Sequence, residues 1–163
     1  MSDITYIDTL DGCCYLHLVT DAYSRKIVGW CLSETLHAAH TVKALKMAID
    51  ATGKSILEGL IHHSDRGVQY CCDEYVSLLT DYHISISMTE DYNPTNNAIA
   101  ERVNDTLKTE VIYREQHFTG FDDAERRIAS FIDFYNDKRP HSSIGMKVPS
   151  QAHQESGEQR KCW

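Results

Sequence analysis

The periodicity of the apolar residues changes once along the chain, and this change limits the possible folds more than any other feature. Residues 3–8 alternate as a half-buried strand does, residues 13–20 form a second, mostly apolar run, and Asp11-Gly12 between them is typical of a hairpin turn. After a turn at 21–25, residues 26–33 form a third strand-like run. We therefore predict that the chain begins with an antiparallel three-stranded meander.

From about residue 41, helical and strand-like segments alternate. The segments expected in order are helix 41–51, strand 60–63, helix 69–82, strand 84–88, helix 97–115 and helix 121–136. Gly53 and Pro140 are expected to end the first and the last of these helices. Because strands separated by helices add to a sheet in parallel, this is the order of an RNase H-like α/β fold. We predict a mixed five-stranded sheet with helices on both faces.

Length and charge limit what such a fold can do. The 163 residues are 42% hydrophobic, which is enough for one core. We predict a single domain over residues 1–153 and a disordered tail at 154–163, where the sequence is polar and has no period. The net charge of −8 and the isoelectric point near 5.5 have the wrong sign for a protein that wraps nucleic acid over its whole surface. Any contact with DNA must therefore be local.

The cysteines do not suggest a metal site or a disulfide framework. The six are Cys13, Cys14, Cys31, Cys71, Cys72 and Cys162, and no two have Cys-x-x-Cys spacing. We expect free, buried thiols in a reducing cytoplasm. No signal peptide precedes the first apolar segment, and no apolar run approaches the roughly 18 residues of a membrane span. We therefore expect a cytoplasmic protein without a membrane partner.

Three acidic residues lie at the ends of predicted elements. Asp3 is on the first strand, Asp65 follows the fourth, and Glu101 is in the first turns of the long helix. Each alone has an ordinary explanation, since an Asp after a strand forms turns and a Glu early in a helix complements its dipole. Together they could hold divalent cations, which prefer carboxylate oxygens. Clustered carboxylates raise one another's pKa, so such a group stays ionised mainly when metal neutralises it.

Five motifs cover nearly all of the chain and resemble those of one family. They are DITYI at 3–7, YLHLVTDAYSRKIVGW at 15–30, HSDRGVQY at 63–70, NPTNNAIAERVNDTLKTE at 93–110 and FYNDKRPHSSIGMKVPSQA at 134–152. In addition, 35 residues separate Asp65 from Glu101. This pattern resembles the integrase core shared by bacterial insertion-sequence DDE transposases and retroviral integrases. The bacterial branch fits better.

The resemblance implies a function for the acids. Asp3, Asp65 and Glu101 would be the catalytic metal ligands, with Mg²⁺ as cofactor, Mn²⁺ as a substitute, and two ions when DNA is bound. The implied reaction is in-line attack at phosphorus, which exposes a 3′-OH and then joins it to a target strand. DNA is the implied partner, and the chain would form a homo-oligomer in the synaptic complex. Because the first strand begins almost at Met1, we expect an upstream DNA-binding domain to be missing from this chain.

Polar and basic residues near the acids are candidate DNA contacts. Seven helical residues turn through about 700°, which places Lys108 on the face of Glu101 and about 10 Å from it, and we expect Asn104 to face outward there too. The predicted DNA-binding set is Lys108, Asn97, Asn104, Arg66, Lys138 and Arg139. The last two belong to the most basic stretch of the chain, which could instead be a solvated face. Residues 92–94 resemble an active-site loop that becomes ordered when DNA enters.

Some alternatives stay open. Asp21 rivals Asp3 because it ends the second strand, although a turn role explains it sufficiently. We expect His62 to face the core, whereas His63 could face the core or touch metal or phosphate. A plain RNase H-like nuclease would share the strand order and the acids, but it would not be expected to carry NPTNNAIAE or YNDKRPH. A non-catalytic DNA-binding or assembly remnant would have lost an acid, and all three acids remain.

Overall fold

The computed structural model describes residues 1–53, 57–88, 98–112 and 117–158. Its elements are β1 Ser2–Thr9, β2 Gly12–Thr20, β3 Ile27–Ser33, α1 Ala38–Thr52, β4 Ile61–Ser64, α2 Asp73–Asp81, β5 Ser85–Met88, α3 Ala98–Leu107 with a π-helical continuation Lys108–Ile112, α4 Phe121–Asp137, a 3-10 turn Ser142–Ile144 and α5 Pro149–Ala152. The predicted order of strands and helices is confirmed. The loop predicted at 89–96 and the last five residues of the predicted tail lie outside the described residues.

The first three strands form the predicted antiparallel meander, in the order β1-β2-β3. β1 and β2 pair along their lengths, with Asp3 opposite Leu18 and Thr9 opposite Gly12. Gly12 has a φ of +140°, which L side chains rarely adopt, and Thr9 Oγ1 donates to the Gly12 carbonyl at 2.8 Å. The turn therefore fixes the hairpin register, and the register fixes the position of Asp3.

β4 and β5 pair in parallel, as the alternation of strands and helices predicts. They form a separate two-stranded sheet, so the prediction of one five-stranded sheet is wrong in this respect. β1 and β4 approach within 8 Å at their Cα atoms. A side chain of α2 connects them: the Tyr75 hydroxyl lies 3.2 Å from Ser2 Oγ and 2.9 Å from His62 Nε2. Side-chain hydrogen bonds thus replace a backbone ladder at this junction.

Helices cover both faces of the antiparallel sheet, as predicted. Leu16 and Leu18 of β2 pack with residues of α3 and α4, whereas Val19 packs with α1. This division follows from the two-residue period of a strand, which sends neighbouring side chains to opposite faces. A further cluster joins α1 to α2 and β5, with members Val42, Leu45, Ile49, Leu57, Tyr70, Tyr75, Leu79 and Ile84.

Gly29 allows α1 to lie directly on β3. A Cβ atom at this position would lie 2.2 Å from the carbonyl oxygen of Ala44 and 2.9 Å from the amide nitrogen of Ala48. Both atoms belong to the helix backbone, so they cannot rotate away as a side chain could. The close approach of this helix therefore requires glycine in the strand.

α2 begins at Asp73, so the prediction of a helix from residue 69 is wrong at its start. Cys72 is extended, with φ −72° and ψ 147°, and the turn before it buries Gln69 and Tyr70. Asp73 and Glu74 then occupy the first helical turn, where carboxylates complement the positive end of the helix dipole. The apolar residues of 69–82 have helical spacing, but the burial of Gln69 and Tyr70 in a turn delays the start of the helix to Asp73.

α3 is α-helical only to Leu107, and the chain continues as a π-helix over Lys108–Ile112. The predicted continuous helix to residue 115 is therefore wrong, and residues 113–116 lie outside the described residues. Leu107 and Val111 are both buried in the core. A π-helix turns less per residue than an α-helix, so it keeps residues four apart on one packed face.

The expected free thiols are confirmed for the five described cysteines. Cys14 and Cys31 are buried as predicted, but Cys13 and Cys71 are exposed because each lies next to a turn. Cys162 lies outside the described residues. Within the part of the chain that the structure describes, no helix is both long and apolar enough to cross a bilayer.

Candidate active site

Asp3 is a half-buried carboxylate on β1. Asn104 of α3 donates to it, with Nδ2 2.6 Å from Asp3 Oδ2. The pKa of Asp3 is raised to about 6, chiefly by burial, against which a hydrogen bond from the Ile4 backbone acts. The carboxylate of Asp65 raises this pKa further, the Asn104 hydrogen bond lowers it, and Glu101 raises it. Asp3 is therefore partly protonated near neutral pH unless a positive charge is added.

Asp65 directly follows β4, as the sequence predicts. Its side chain is exposed, and Oδ1 accepts from the backbone amide of Gly67 at 2.8 Å. A Cβ atom on Gly67 would lie 2.9 Å from that same oxygen. Glycine two residues after the acid therefore permits the turn that orients the carboxylate.

Glu101 is exposed in the first turns of α3. The helix is fixed beneath it by a buried stripe with the spacing i, i+3, i+4, i+7, formed by Ala100, Val103, Asn104 and Leu107. The prediction that Asn104 faces outward is wrong, because it belongs to this stripe and is only 5% exposed. The burial of Asn104 is compensated by its bond to Asp3.

The other two acids act electrostatically on Asp3. Asp65 and Glu101 both raise the pKa of Asp3, and such effects weaken with distance. β1, the end of β4 and the start of α3 thus bring the three carboxylates to one region. Within the described segments, no three His, Cys, Asp or Glu side chains form a group that could hold a metal ion as they stand. The assignment of these acids as metal ligands stays a prediction.

The chemistry of this region fits a hard divalent cation. Its carboxylates are the oxygen ligands that Mg²⁺ prefers. Asn104 Oδ1 is buried and has no hydrogen-bond partner among the described residues, and the same is true of the Tyr70 hydroxyl. Burial raises the pKa of Tyr70, and so do Tyr75, Asp3 and Asp65, which indicates that the phenol lies near the acids. A cation would offset the carboxylate repulsion and attract the unpaired oxygens.

Asp21 has the structural role expected of a turn residue. It accepts from the amides of Tyr23 and Ser24 at 3.2 and 3.1 Å, and from Ser24 Oγ at 2.5 Å. His153 Nδ1 lies 3.1 Å from the same carboxylate. Burial acts to raise the pKa of Asp21, but these hydrogen bonds outweigh it and lower the pKa. Among the described residues, Asp21 is thus hydrogen-bonded to the turn and to the C-terminal segment, which is the turn role that the sequence suggests.

The two histidines before Asp65 differ in their surroundings. His62 is buried against Tyr75, as predicted, and burial lowers its pKa to about 3, with smaller contributions from the chain amino group and His63. His63 is half-buried, and its Nδ1 lies 2.9 Å from Ser87 Oγ on β5. His62 is therefore neutral and structural. The question of whether His63 touches metal or phosphate stays open.

The predicted DNA-binding residues lie in different parts of the molecule. Arg66 is exposed beside Asp65, Lys108 is half-buried at the first position of the π-helix, and Lys138 is exposed at the end of α4. Asn97 lies outside the described residues, as do residues 92–94. Arg139 is half-buried and pairs with Glu110, with Nη2 2.8 Å from Oε1. Arg66 thus directly follows one of the three acids in the chain, whereas Arg139 belongs to a separate ion pair.

Sequence reasoning missed two features of this region. Tyr70 lies in the HSDRGVQY motif, but a buried tyrosine in a turn gives no sign in sequence of its distance from Asp3. The bond from Asn104 to Asp3 spans 101 residues, so it too depends on the fold. The signal available for Asn104 is its place in the i, i+3, i+4, i+7 stripe, which predicts burial.

The chain matches two family models described as "Integrase core domain", one over residues 1–94 and the other over residues 82–149. It is 37% identical over 151 residues to the transposase for insertion sequence element IS904 of Lactococcus lactis, covering 91% of this chain and 58% of the relative. It is 32% identical over 152 residues to a putative transposase for IS986/IS6110 of Mycobacterium tuberculosis, covering 91% and 55%. The chain thus spans little more than half the length of these relatives.

The fold matches solved retroviral structures. The HTLV-2 integrase catalytic core domain in complex with magnesium, in its trimeric form, superposes with a TM-score of 0.70 at 19% identity, covering 94% of this chain and 93% of that one. A chain of the simian T-cell lymphotropic virus intasome gives 0.78 at 20% identity, covering 99% and 56%. Sequence and fold agree: the chain belongs to the integrase core domain family, and insertion-sequence transposases are among its relatives.

Proposed function

We propose that this chain is a transposase catalytic core that cleaves DNA strands and transfers a 3′-OH end to a target strand, with Asp3, Asp65 and Glu101 as its metal ligands. The observation that carries the proposal is the effect of the other two carboxylates on Asp3, whose pKa both raise. Asn104, whose Nδ2 donates to the same carboxyl group, also has a buried oxygen without a hydrogen-bond partner among the described residues. Because nearby like charges disfavour ionisation, a bound cation would stabilise the ionised form of Asp3.

Mg²⁺, with Mn²⁺ as a substitute, is the cofactor that we propose. The HTLV-2 integrase core of the same fold is described in complex with magnesium. Two such ions, held by the three acids together with DNA, would activate the attacking oxygen and stabilise the leaving oxygen. Mg²⁺ held by few carboxylates binds weakly without substrate phosphates, so we expect tight binding only with DNA.

The chain's own residues would hold the carboxylates in place. Asn104 restrains Asp3 through the 2.6 Å hydrogen bond, and the Gly67 amide restrains Asp65 at 2.8 Å. Glu101 is carried by a helix whose other face is packed in the core. Side chains held by packing and hydrogen bonds lose little freedom when substrate binds, which favours the reaction.

The proposed reaction consists of two displacements at phosphorus. In the first, a water oxygen bonds to phosphorus, the bond from phosphorus to the 3′-oxygen breaks, and that oxygen leaves as a 3′-OH. In the second, the oxygen of this 3′-OH loses its proton and bonds to a target phosphorus. The bond from that phosphorus to the target's own 3′-oxygen breaks, and this oxygen takes up a proton and leaves as a 3′-OH. Neither displacement needs a covalent bond to the protein.

We propose that DNA phosphates contact Lys108, Asn97, Arg66, Lys138 and Arg139. Asn104 is assigned the different task of positioning Asp3, because it is buried and already bonded to that residue. Local contacts of this kind are compatible with a net charge of −8. We also propose that the chain assembles with copies of itself on DNA, since related integrase cores are described in dimeric and trimeric forms.

The test is a Glu101→Gln variant assayed for nicking and joining of supercoiled plasmid DNA with Mg²⁺ or Mn²⁺. The amide keeps the shape of the side chain and removes its charge, so metal-dependent activity should be lost while the fold is retained. Glu125→Gln, the same change at an exposed position of α4, is the matched control and should remain active. Circular dichroism checks that both variants fold.

The products separate the proposed reaction from its rivals. A plain nuclease would give nicked DNA without joined strands, and a non-catalytic remnant would give neither with any metal. Full activity of Glu101→Gln, with unchanged metal dependence, would contradict the site assignment even if joined products form.

A further inference from the structure

A basic cavity is lined in part by residues of α3, Arg102 among them. It has a volume of about 470 Å³, within the range of ligand-binding pockets. Its lining includes Arg25, Arg102, Tyr135, Arg139, His141 and Ser142. No Asp or Glu of the described residues lines it. In a chain with a net charge of −8, three arginines around one cavity reverse the local sign of the charge.

Two of these arginines repel each other. Burial lowers the pKa of Arg25, and the positive charge of Arg102 lowers it further. Tyr135 and Asp21 act in the opposite direction and raise this pKa. Arg25 is half-buried and has a φ of 67°, a strained value for a residue with a side chain. It is held there by Nη1, which donates to the Ala22 carbonyl at 2.6 Å, and by Nε, 3.4 Å from Ser143 Oγ. The fold thus maintains this charge at the cavity without an acidic partner in its lining.

Arg102 is exposed, and its side chain has no hydrogen bond or ion pair with the residues that the structure describes. The third arginine, Arg139, uses Nε and Nη2 for Glu110, at distances of 2.8 to 3.2 Å. Its Nη1 instead faces the ring of His141 at 3.4 Å. The guanidinium groups of Arg25 and Arg102 therefore keep most of their donors free, whereas the donors of Arg139 are shared between Glu110 and His141.

His141 adds a neutral polar group. Burial lowers its pKa to about 4, Arg139 lowers it further, Glu110 opposes this, and Arg25 again lowers it. The ring packs edge-on against Tyr135, with centroids 4.6 Å apart. At neutral pH it can therefore donate one hydrogen bond without adding another charge.

We propose that this cavity binds a backbone phosphate of the DNA strand that passes the three acids, with Arg102 and Arg25 as its main charged contacts. The inference rests on the proposed function, because it takes DNA as the partner. Guanidinium groups bind phosphate through paired donors, which suits the free donors described above. Arg102 directly follows Glu101 in α3, so one helix presents a proposed metal ligand and a phosphate contact about 100° apart.

The cavity is suited to backbone rather than to base recognition. Arg25 and Arg139 are half-buried and restrained by protein partners, so they cannot extend into a DNA groove. No Asn or Gln of the described residues lines the cavity, so the amide contacts typical of adenine recognition are absent there. Binding should therefore depend on salt and not on sequence.

The test measures binding of labelled duplexes of unrelated sequence to the 163-residue chain by fluorescence anisotropy, across a salt series in EDTA. Arg102→Ala should weaken binding about threefold to tenfold and reduce the salt slope by about one. Ser142→Glu, which adds a carboxylate at an exposed lining position, should weaken it at least as much. Arg126→Ala is the matched control, since it removes an equal charge on α4 outside the cavity, and it should bind as the parent chain does.

This binding test can fail or succeed independently of the activity test of Glu101→Gln, because EDTA removes metal from the binding assay. Unchanged binding by Arg102→Ala and Ser142→Glu would overturn the proposal, as would an equal loss in Arg126→Ala or a loss confined to one DNA sequence. A loss in the two cavity variants together with full activity of Glu101→Gln would leave the cavity standing and remove the catalytic assignment. Equal melting temperatures confirm that Arg102→Ala and Arg126→Ala fold alike.

Discussion

Replacing Asp3 by Asn should stabilise the metal-free protein above neutral pH. The carboxyl has a pKa of about 6 in the folded chain, against an ordinary value of 3.8, because it is buried and faces two other carboxylates. The folded state therefore binds this proton more tightly than the unfolded state does. The stability that the bound proton contributes is complete below about pH 3.8 and is lost as pH rises through about 6. Above pH 7 the ionised group destabilises the fold.

The size of the effect follows from the two pKa values. Since each pKa unit is worth about 1.36 kcal/mol, the difference between about 6 and 3.8 corresponds to at most about 3 kcal/mol. The amide of Asn carries no charge, so it should remove this cost while it still accepts the bond from Asn104. By linkage, the gain should be about 1.4 kcal/mol larger at pH 8 than at pH 5, because at pH 5 the carboxyl is largely protonated in the folded parent chain.

Urea unfolding in EDTA at pH 8 and pH 5 measures the difference. Asp8→Asn, on an exposed position of the same strand, is the control and should change stability by no more than about 0.5 kcal/mol. If Asp3→Asn is no more stable than the parent chain at pH 8, or gains equally at both pH values, the electrostatic account of the three acids is refuted.

Two further changes test the DNA face and the packing. Lys108→Ala should weaken DNA binding and reduce the salt slope by about one with little change in melting temperature, because a cation contacts phosphate and cannot ligate metal. An unchanged salt slope with a lower melting temperature would mean that Lys108 has a structural role instead. Gly29→Ala should lower the free energy of unfolding, measured with urea, by about 3 kcal/mol or more, since its Cβ would lie 2.2 Å from the Ala44 carbonyl oxygen. An unchanged free energy of unfolding would contradict the observed contact of α1 with β3.

The strand order was predictable because it depends on local signals. Each of these signals lies within fewer than about ten residues of the chain. They are the alternation of apolar residues in the strands, the Asp11-Gly12 turn and the spacing of the apolar residues in α1. The helix ends were less predictable. α2 starts late because its preceding turn is buried, and α3 changes to a π-helix where Leu107 and Val111 both pack in the core.

The three acids are predicted as metal ligands from motif and spacing, not from geometry. A motif places Asp3, Asp65 and Glu101 in order along the chain, but Coulomb interaction depends on distances that only the folded chain defines. The bond from Asn104 to Asp3 and the buried phenol of Tyr70 are of this kind. A helical stripe predicts that Asn104 is buried, and only the fold gives it a partner.

The sequence by itself determined the element types, their order and the family, because these depend on periodicity and on residues in fixed local strings, and it predicts the three acids as metal ligands. Tertiary structure alone decided the division into two sheets, the raised pKa of Asp3 and the basic cavity, where Arg25, Arg102 and Arg139 meet from three separate segments. The physical reason is that burial and electrostatic interaction act between residues that are close in space, and that closeness is set by packing across the whole chain.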